Sequence, residues 1–202
     1  MSNGTELPAR IAVVCGASGT GKSLWTKQQL KLLPPRICVY DTDGEYGADF
    51  HKIRTTRALC ETLREAQTGR FAFVPQRTGD QDAFDVWALA VFAWGNCTAV
   101  AEETADVTSP GKAPPGWGML VRRGRKRNIR IFAITQRPSE SDKTVIGNAT
   151  LIHCCALSRA QDREYMAREL DCAPELVNRL KVMEYVERDR ARMTLITGVV
   201  KP

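Results

Sequence analysis

The sequence predicts an α/β fold with a mostly parallel central sheet, helices on both faces and an antiparallel pair of strands near the carboxyl end. Short β-branched runs alternate with longer helical segments along most of the chain, as in proteins whose parallel strands are connected through helices. The 202 residues include 43% hydrophobic and 26% charged side chains, which is the size and balance of one globular domain. We therefore treat residues 1–202 as a single domain.

The first half of the chain alternates short apolar runs with longer amphipathic segments. The short runs, which end at glycine or proline, predict strands at residues 10–15, 37–41 and 71–74. The longer segments predict helices at residues 22–33, 56–67 and 80–94. The last of these helices carries aromatic side chains at helical spacing, which we interpret as part of the core.

The second half continues the alternation and then changes character. Apolar runs predict strands at residues 98–101, 129–135 and 151–157. Helices are predicted at residues 117–127, 158–170 and 174–180. Residues 107–118 contain three prolines and three glycines and are predicted to form a loop. The final segments, 183–187 and 193–200, predict the antiparallel pair.

Composition also limits the cellular setting. No run of about 18 apolar residues is present, so we expect no membrane span. Residues 1–10 lack the apolar core of a signal peptide, so we expect a cytoplasmic protein that is not exported. The seven cysteines form no CxxC pair and are typical of a reducing compartment. With only two histidines and no paired ligand spacing, a zinc site is not expected.

Basic residues are concentrated in one segment. The net charge of +6 equals the six cations between positions 122 and 130, where no acidic residue intervenes. Such a concentration favours a polyanionic partner, although a solvated helix face would have the same composition. The six residues are Arg122, Arg123, Arg125, Lys126, Arg127 and Arg130.

A phosphate-binding motif lies between the first predicted strand and the first predicted helix. Residues 16–23 read GASGTGKS, the spacing G-x-x-x-x-G-K-S. Its glycines let backbone N–H groups surround an anion, and the helix that follows directs its positive end at the phosphates. Lys22 supplies a charge for the β- and γ-phosphates, and the Ser23 hydroxyl is a suitable ligand for Mg²⁺. The predicted nucleotide-binding residues are Gly16, Ala17, Ser18, Gly19, Thr20, Gly21, Lys22 and Ser23.

Two carboxylates follow the strand predicted at residues 98–101. We expect Glu102 to hold Mg²⁺ through water and Glu103 to polarise the attacking water, on a strand beside the phosphate-binding strand. Glutamate at the first position is a departure, because aspartate is commoner there. The alternative is a solvated acidic turn. Gln136, at the end of the strand predicted at residues 129–135, can contact the γ-phosphate or position the water, although on the residues alone it is only a polar strand end.

Four motifs in order resemble the HerA/FtsK superfamily of DNA-pumping ATPases. They are GASGTGKS, YDTDGEYG, AEETADV and LVRRGRKRNIRIFAITQRPSESDKTVIGNA, and the resemblance extends over residues 10–170. Within that superfamily the motifs resemble those of the small genome-packaging ATPases of internal-membrane and tailless viruses. The resemblance implies a RecA-like P-loop NTPase fold of the ASCE type and a ring, usually a hexamer, that threads double-stranded DNA. Residues 41–46 resemble an acidic element of that superfamily.

The resemblance leads to one functional hypothesis. An ATP-driven translocase, expected to package viral DNA, binds ATP at residues 16–23 with Mg²⁺ on Ser23 and Glu102. An arginine from the neighbouring subunit completes the site; Arg125 is the first choice and Arg137 the second. Because neither the amino-terminal barrel of larger HerA proteins nor the FtsK γ-domain is present, packaging is favoured over chromosome segregation. The DNA-contacting side chains are then Arg122, Arg123, Lys126 and Arg127.

Two other functions remain open on the sequence. A small-molecule or nucleotide kinase has the same phosphate motif and a similar length, but it has no need of Glu102 and Glu103. A phage assembly or morphogenesis ATPase resembling the zonula occludens toxin group has a related motif, although such proteins usually carry a membrane span. For the packaging hypothesis, a capsid vertex or portal protein is a further expected partner, in the host cytoplasm or on the virion.

Overall fold

Nine strands form one sheet in the computed structural model, which describes residues 10–201. In chain order the strands are β1 (Ile11–Cys15), β2 (Arg36–Tyr40), β3 (His51–Ile53), β4 (Gly69–Phe73), β5 (Thr98–Ala101), β6 (Arg130–Thr135), β7 (Leu151–Cys155), β8 (Glu184–Asp189) and β9 (Thr194–Val199). The helices are α1 (Lys22–Lys31), α2 (Thr56–Glu65), α3 (Gln81–Trp94), α4 (Thr104–Val107), α5 (Pro115–Arg123), α6 (Lys143–Asn148), α7 (Ala160–Glu169) and α8 (Pro174–Asn178).

The strand order is β3-β4-β2-β5-β6-β1-β7-β8-β9. The first seven strands of the chain are parallel, and β8 and β9 continue the sheet from β7 in antiparallel pairing. This confirms the predicted fold class, including the antiparallel carboxyl-terminal pair. Parallel pairing matters for function because it brings the carboxyl ends of β1, β2, β5, β6 and β7 to one edge of the sheet.

One expectation about this order is wrong. The strand that carries the two acidic residues does not lie beside the phosphate-binding strand, because β6 separates β5 from β1. Ile131 pairs with Ile11 on one side and with Ala99 on the other. The apolar β6 is buried from Ile131 to Thr135, as a strand between two others and beneath helices must be.

Helices cover both faces because alternate strand residues point to opposite sides. In β1, Val13 and Cys15 face a core that includes side chains from α2, α3 and α5. Ala12 and Val14 face a second core, to which α1 contributes Trp25 and Leu30. The sheet is therefore apolar on both faces, which explains why its strands are short, continuous apolar runs.

The structure departs from the sequence prediction at several short elements. The three-residue β3 and the six-residue α6 were not predicted. The helix predicted at residues 117–127 begins earlier, at Pro115, and its last turn, Gly124–Arg127, is a 3-10 helix. Proline is favoured at the first helical position, because its missing N–H would have no partner there.

The expectation of a non-exported amino terminus rests on residues 1–10, of which 1–9 lie outside the described residues. Within residues 10–201 no helix is long and apolar enough to cross a bilayer.

Candidate active site

The glycine-rich loop lies at the carboxyl end of β1 and leads directly into α1. The Gly16 N–H donates to Thr135 O at 3.3 Å, and the Ala17 N–H donates to Ala156 O at 2.8 Å, so the loop is tied to the ends of β6 and β7. Gly16 has φ of 156°, and a Cβ there would lie 2.7 Å from the Cβ of Cys155. Only glycine fits this backbone. The loop is thus held in a fixed shape between two strand ends.

Lys22 begins α1, and its ammonium points back into the loop. Its Nζ donates to Ala17 O at 2.9 Å, and Thr20 Oγ1 donates to the same oxygen at 2.7 Å. Only 7% of the residue is exposed. Burial lowers the pKa of Lys22, while the carboxylates of Glu103 and Glu102 act in the opposite direction. The Lys22 ammonium is therefore held inside the glycine-rich loop.

Glu102 directly follows β5 and is anchored towards β2. Its N–H donates to Tyr40 O at 3.1 Å, and its Oε1 accepts a hydrogen bond from the Tyr46 hydroxyl at 2.7 Å. Burial raises the pKa of Glu102 to about 7, while the Tyr46 hydrogen bond lowers it and the nearby Asp41 raises it. This acid is therefore poised to change its ionisation when a cation approaches.

The acidic segment at residues 41–46 explains how Tyr46 reaches Glu102. Asp41 is 1% exposed, and its two carboxylate oxygens accept the N–H groups of Glu45 at 2.9 Å and Tyr46 at 3.1 Å. The Asp41 carboxylate therefore stabilises the fold of this segment. Its effect is to bury Tyr46, of which 2% is exposed, with the hydroxyl aimed at the end of β5.

Glu103 turns the opposite way, towards β6. Its backbone is left-handed, with φ of 43° and ψ of 61°. Its Oε1 accepts hydrogen bonds from Thr135 Oγ1 and the Gln136 N–H, both at 3.1 Å, and its Oε2 lies 3.2 Å from the same N–H. Burial raises the pKa of Glu103, against the effect of these hydrogen bonds. Two consecutive acids are thus held apart by the two strands that flank β5.

The end of β6 and the end of β7 contribute polar groups at the same edge. Gln136 and Arg137 are exposed directly after β6. Arg137 pairs with Glu140 at 3.3 Å, and Glu140 also pairs with Arg159, which precedes α7. The sequence analysis did not identify Arg159. Its position in the short connection between the end of β7 and α7 is the signal that could have found it.

The basic segment lies elsewhere. Because β6 runs parallel to β1, the turn Gly124–Arg127 before it sits at the amino edge of the sheet, opposite the glycine-rich loop. Arg127 is fastened there, since its guanidinium donates to Ala93 O at 2.8 Å and its carbonyl accepts the Asn96 N–H at 2.7 Å. The exposed side chains of this segment are Arg122, Arg123, Arg125, Lys126 and Arg127.

The structure therefore divides the predicted site residues into two groups. The loop at residues 16–23, Glu102, Glu103, Gln136 and Arg137 come together at the carboxyl edge of the sheet. Arg125 and the proposed DNA-contacting residues are not part of that group within one chain. Two groups that the sequence analysis did not assign, the hydroxyls of Tyr46 and Thr135, contact the two acids directly.

Known proteins share the fold of this chain. No protein-family model matches the sequence. Protein P9 of Pseudoalteromonas phage PM2 is 29% identical over 197 residues, which cover 93% of this chain and 89% of that protein. The genome packaging NTPase B204 of Sulfolobus turreted icosahedral virus 2, solved in complex with AMPPCP, superposes with a TM-score of 0.80 at 18% identity, covering 97% of this chain and 98% of that one. The N-terminal domain of zonular occludens toxin from Neisseria meningitidis gives 0.53 at 15% identity, with 96% and 94% covered. The chain thus has the fold of a P-loop NTPase, which it shares with a viral genome packaging NTPase, and the resemblance inferred from its four motifs is confirmed at the level of the fold.

Proposed function

We propose that this protein is an ATPase that translocates double-stranded DNA, as the genome-packaging motor of a virus. The observation that carries the proposal is the convergence of the glycine-rich loop, two oppositely anchored acids and Gln136 at one edge of the sheet. Support comes from the similarity to phage protein P9 and to B204, which has been solved in complex with AMPPCP and with ATP-gammaS.

ATP binding is assigned to the loop at residues 16–23. Its backbone N–H groups and the amino end of α1 offer partial positive charge to the phosphates. The Lys22 ammonium, which is 2.9 Å from Ala17 O, can exchange this carbonyl for phosphate oxygens, which are stronger acceptors because they are charged.

The donor atoms near the loop fit Mg²⁺. The Ser23 hydroxyl and the Glu102 carboxylate are hard oxygen ligands, which Mg²⁺ prefers over nitrogen or sulfur. Within residues 10–201 there is no group of three or more His, Cys, Asp or Glu side chains arranged around a metal site. Mg²⁺ at a nucleotide site does not require one, because phosphates and waters complete its shell. When bound, it supplies positive charge to the β- and γ-phosphates.

Hydrolysis is assigned to Glu103 as the base that accepts a proton from the attacking water. Its pKa is raised by burial, which makes it a stronger base than an exposed carboxylate. Gln136, next to it, contacts the γ-phosphate. Arg137 lies at the same edge, whereas Arg125 lies at the opposite edge and can serve only the nucleotide of a neighbouring subunit.

Translocation is assigned to a ring of copies, expected to be a hexamer, with double-stranded DNA in its channel. The exposed cations at the amino edge of the sheet contact DNA phosphates without reading sequence. We propose that residues 1–202 act as one domain and that the ring docks on a capsid vertex or portal protein. The proposed DNA contacts are Arg122, Arg123, Lys126 and Arg127.

The decisive experiment measures ATP hydrolysis with and without duplex DNA, together with the mass of the protein in solution with ATP. A packaging motor hydrolyses ATP faster on DNA and assembles into a ring. Transfer of phosphate to an added small-molecule or nucleotide acceptor would instead identify a kinase. Hydrolysis that is indifferent to DNA would favour an assembly ATPase of the zonular occludens toxin type.

A further inference from the structure

Thr135 connects three parts of the site. It is the last residue of β6, and 1% of it is exposed. Its hydroxyl donates to Glu103 Oε1 at 3.1 Å and accepts the Arg137 N–H at 3.0 Å. Its carbonyl accepts the Gly16 N–H at 3.3 Å. One buried residue therefore contacts the glycine-rich loop, the proposed base and the segment that carries Gln136 and Arg137.

Glu103 needs external support to keep its orientation. A left-handed backbone is uncommon for a residue with a side chain, and the Glu103 side chain makes no capping bond to α4, which begins directly after it. Among residues 10–201, the hydrogen bonds to its carboxylate come from the last residue of β6 and the one after it: the Thr135 hydroxyl and the Gln136 N–H. The position of the Gln136 N–H also depends on Thr135. The Thr135 hydroxyl accepts the N–H of Arg137, the next residue along the chain, and so fixes the backbone on both sides of Gln136.

We propose that Thr135 is a positioning residue for ATP hydrolysis. Its hydroxyl holds the Glu103 carboxylate in the orientation that accepts a proton from water, and its backbone ties that orientation to the phosphate-binding loop. The inference rests on the proposed function of Glu103 as the base. It adds a buried, uncharged residue to the proposed machinery.

A purely structural hydroxyl would satisfy the same hydrogen bonds. Removing such a hydroxyl lowers stability and leaves the turnover of the folded protein unchanged. Removing a positioning hydroxyl lowers kcat while nucleotide binding is kept, because the misplaced carboxylate affects the chemical step alone. The split between kcat and KM therefore separates the two roles.

The test compares three variants by steady-state ATP hydrolysis and thermal unfolding. Thr135→Val keeps the shape and removes the hydroxyl, and Thr135→Ser restores it. The matched control is Thr108→Val. The Thr108 hydroxyl is also buried, donates to Thr104 O at 2.6 Å and accepts the Asp142 N–H at 3.1 Å, but these bonds involve neither acid. If Thr135→Val does not fold, Thr135→Ala replaces it.

We expect Thr135→Val to lower kcat by roughly 10- to 100-fold with KM within about 2-fold of the wild type. Thr135→Ser should stay within about 3-fold of the wild type, and Thr108→Val should lose stability but not kcat. A kcat for the valine or alanine variant that equals that of Thr108→Val, or exceeds the wild type, overturns the inference.

A double-mutant cycle separates this inference from the proposal on which it rests. In a Glu103→Gln background, loss of the Thr135 hydroxyl should lower kcat no further, because there is no base left to position. If Glu103→Gln alone hydrolyses ATP like the wild type, the role of Glu103 is wrong. If Glu103→Gln lowers kcat, and loss of the Thr135 hydroxyl lowers kcat by the same further factor in that background as in the wild type, only the positioning role is wrong.

Discussion

The hydroxyl of Tyr46 donates a 2.7 Å hydrogen bond to Glu102 Oε1, joining residues that lie 56 positions apart in the chain. Burial raises the pKa of Tyr46 well above its ordinary value, so the phenol remains protonated and can act as a donor. The same bond lowers the pKa of Glu102, in opposition to burial. Tyr46 therefore helps to keep a partly buried carboxyl group available for a cation.

Tyr46→Phe should raise the Mg²⁺ concentration needed for half-maximal ATP hydrolysis. Without its donor, the Glu102 carboxylate is harder to ionise and less well oriented. The lost hydrogen bond to a partly buried acceptor should also lower the free energy of unfolding by about 1–3 kcal/mol. A Mg²⁺ titration of the rate and urea unfolding measure the two effects.

The matched control for this prediction is Tyr40→Phe. This substitution also removes a hydrogen bond, which the Tyr40 hydroxyl donates to Asp80 O at 3.2 Å. That bond involves neither Glu102 nor Glu103. Both variants should be destabilised, and only Tyr46→Phe should change the Mg²⁺ requirement. Equal Mg²⁺ curves for the two would assign Tyr46 to folding alone.

Glu103→Gln and Glu102→Gln should fail in different ways. Glutamine keeps the shape of Glu103 but cannot accept a proton from water, so ATP should bind while hydrolysis falls by a factor of about 10² or more. Glu102→Gln should bind Mg²⁺ more weakly and recover part of its rate at high Mg²⁺. Nucleotide affinity, single-turnover rates and Mg²⁺ titrations separate the two. An active Glu103→Gln beside an inactive Glu102→Gln would reverse the two assignments.

His153 should make the protein less stable in acid. Its ring is fully buried, stacks on Trp25 at 4.0 Å and contacts Glu187 through Nδ1 at 2.9 Å, while Nε2 has no partner. Burial lowers the pKa of His153, although Glu187 opposes this. Below about pH 6.5 the unfolded chain therefore binds a proton that the folded protein resists, so the free energy of unfolding falls as pH falls, by at most about 1.4 kcal/mol per unit.

Urea unfolding between pH 5 and pH 8 measures this contribution. His153→Phe keeps an aromatic ring beside Trp25 and should flatten the acid side of the profile. His51→Phe, which replaces the exposed histidine, is the control and should keep the wild-type profile. A His153→Phe profile as steep as that of the control would show that other groups cause the acid sensitivity.

The basic segment should bind DNA through phosphates. Replacing Arg122, Arg123, Lys126 and Arg127 by alanine should weaken duplex binding equally for all sequences and reduce the slope of log affinity against log salt by about 0.9 per lost contact. A control that removes the same charge elsewhere on the protein replaces Arg54, Arg57, Arg64 and Arg179, which are all exposed. Salt slopes that change equally in both variants would indicate net charge rather than a contact surface.

Much of this arrangement could be predicted because parallel strands end at one edge. Each apolar run predicted its strand, and the polar residues after β1, β5 and β6 were expected to meet. The order of the strands could not be predicted, because a sequence does not say that β6 inserts between β5 and β1. A three-residue strand such as β3 is too short to show a period.

The groups that hold the two acids were harder to predict for a physical reason. Tyr46 and Thr135 act through single hydrogen bonds to residues 56 and 32 positions away, and no local pattern records such a partner. Both nevertheless lie beside residues that the motifs had marked: Tyr46 within the acidic segment and Thr135 directly before Gln136. Neighbours of motif residues at strand ends are thus the places to search for positioning groups.

We expect an arginine from a neighbouring subunit to complete each ATP site. In phosphoryl transfer an arginine that reaches the γ-phosphate contributes about 10³- to 10⁵-fold in rate and can come from a partner molecule. Arg125 is exposed at the amino edge of the sheet, away from the glycine-rich loop of its own chain, so it can complete a site only across a subunit boundary. Specific activity should therefore rise with protein concentration. Arg125→Ala and Lys22→Ala should each be inactive, and mixing them should restore hydrolysis.

Restoration is expected because some mixed boundaries pair an intact Lys22 with an intact Arg125. A mixture of Arg137→Ala and Lys22→Ala subunits tests the second candidate. Arg137 lies at the carboxyl edge of the sheet, with the glycine-rich loop, and is paired with Glu140. If only the Arg137 mixture recovers activity, Arg137 is the residue that crosses the boundary. If neither mixture recovers at any ratio and dilution leaves specific activity constant, each site is completed within one chain. That result would contradict the hypothesis that an arginine acts between subunits.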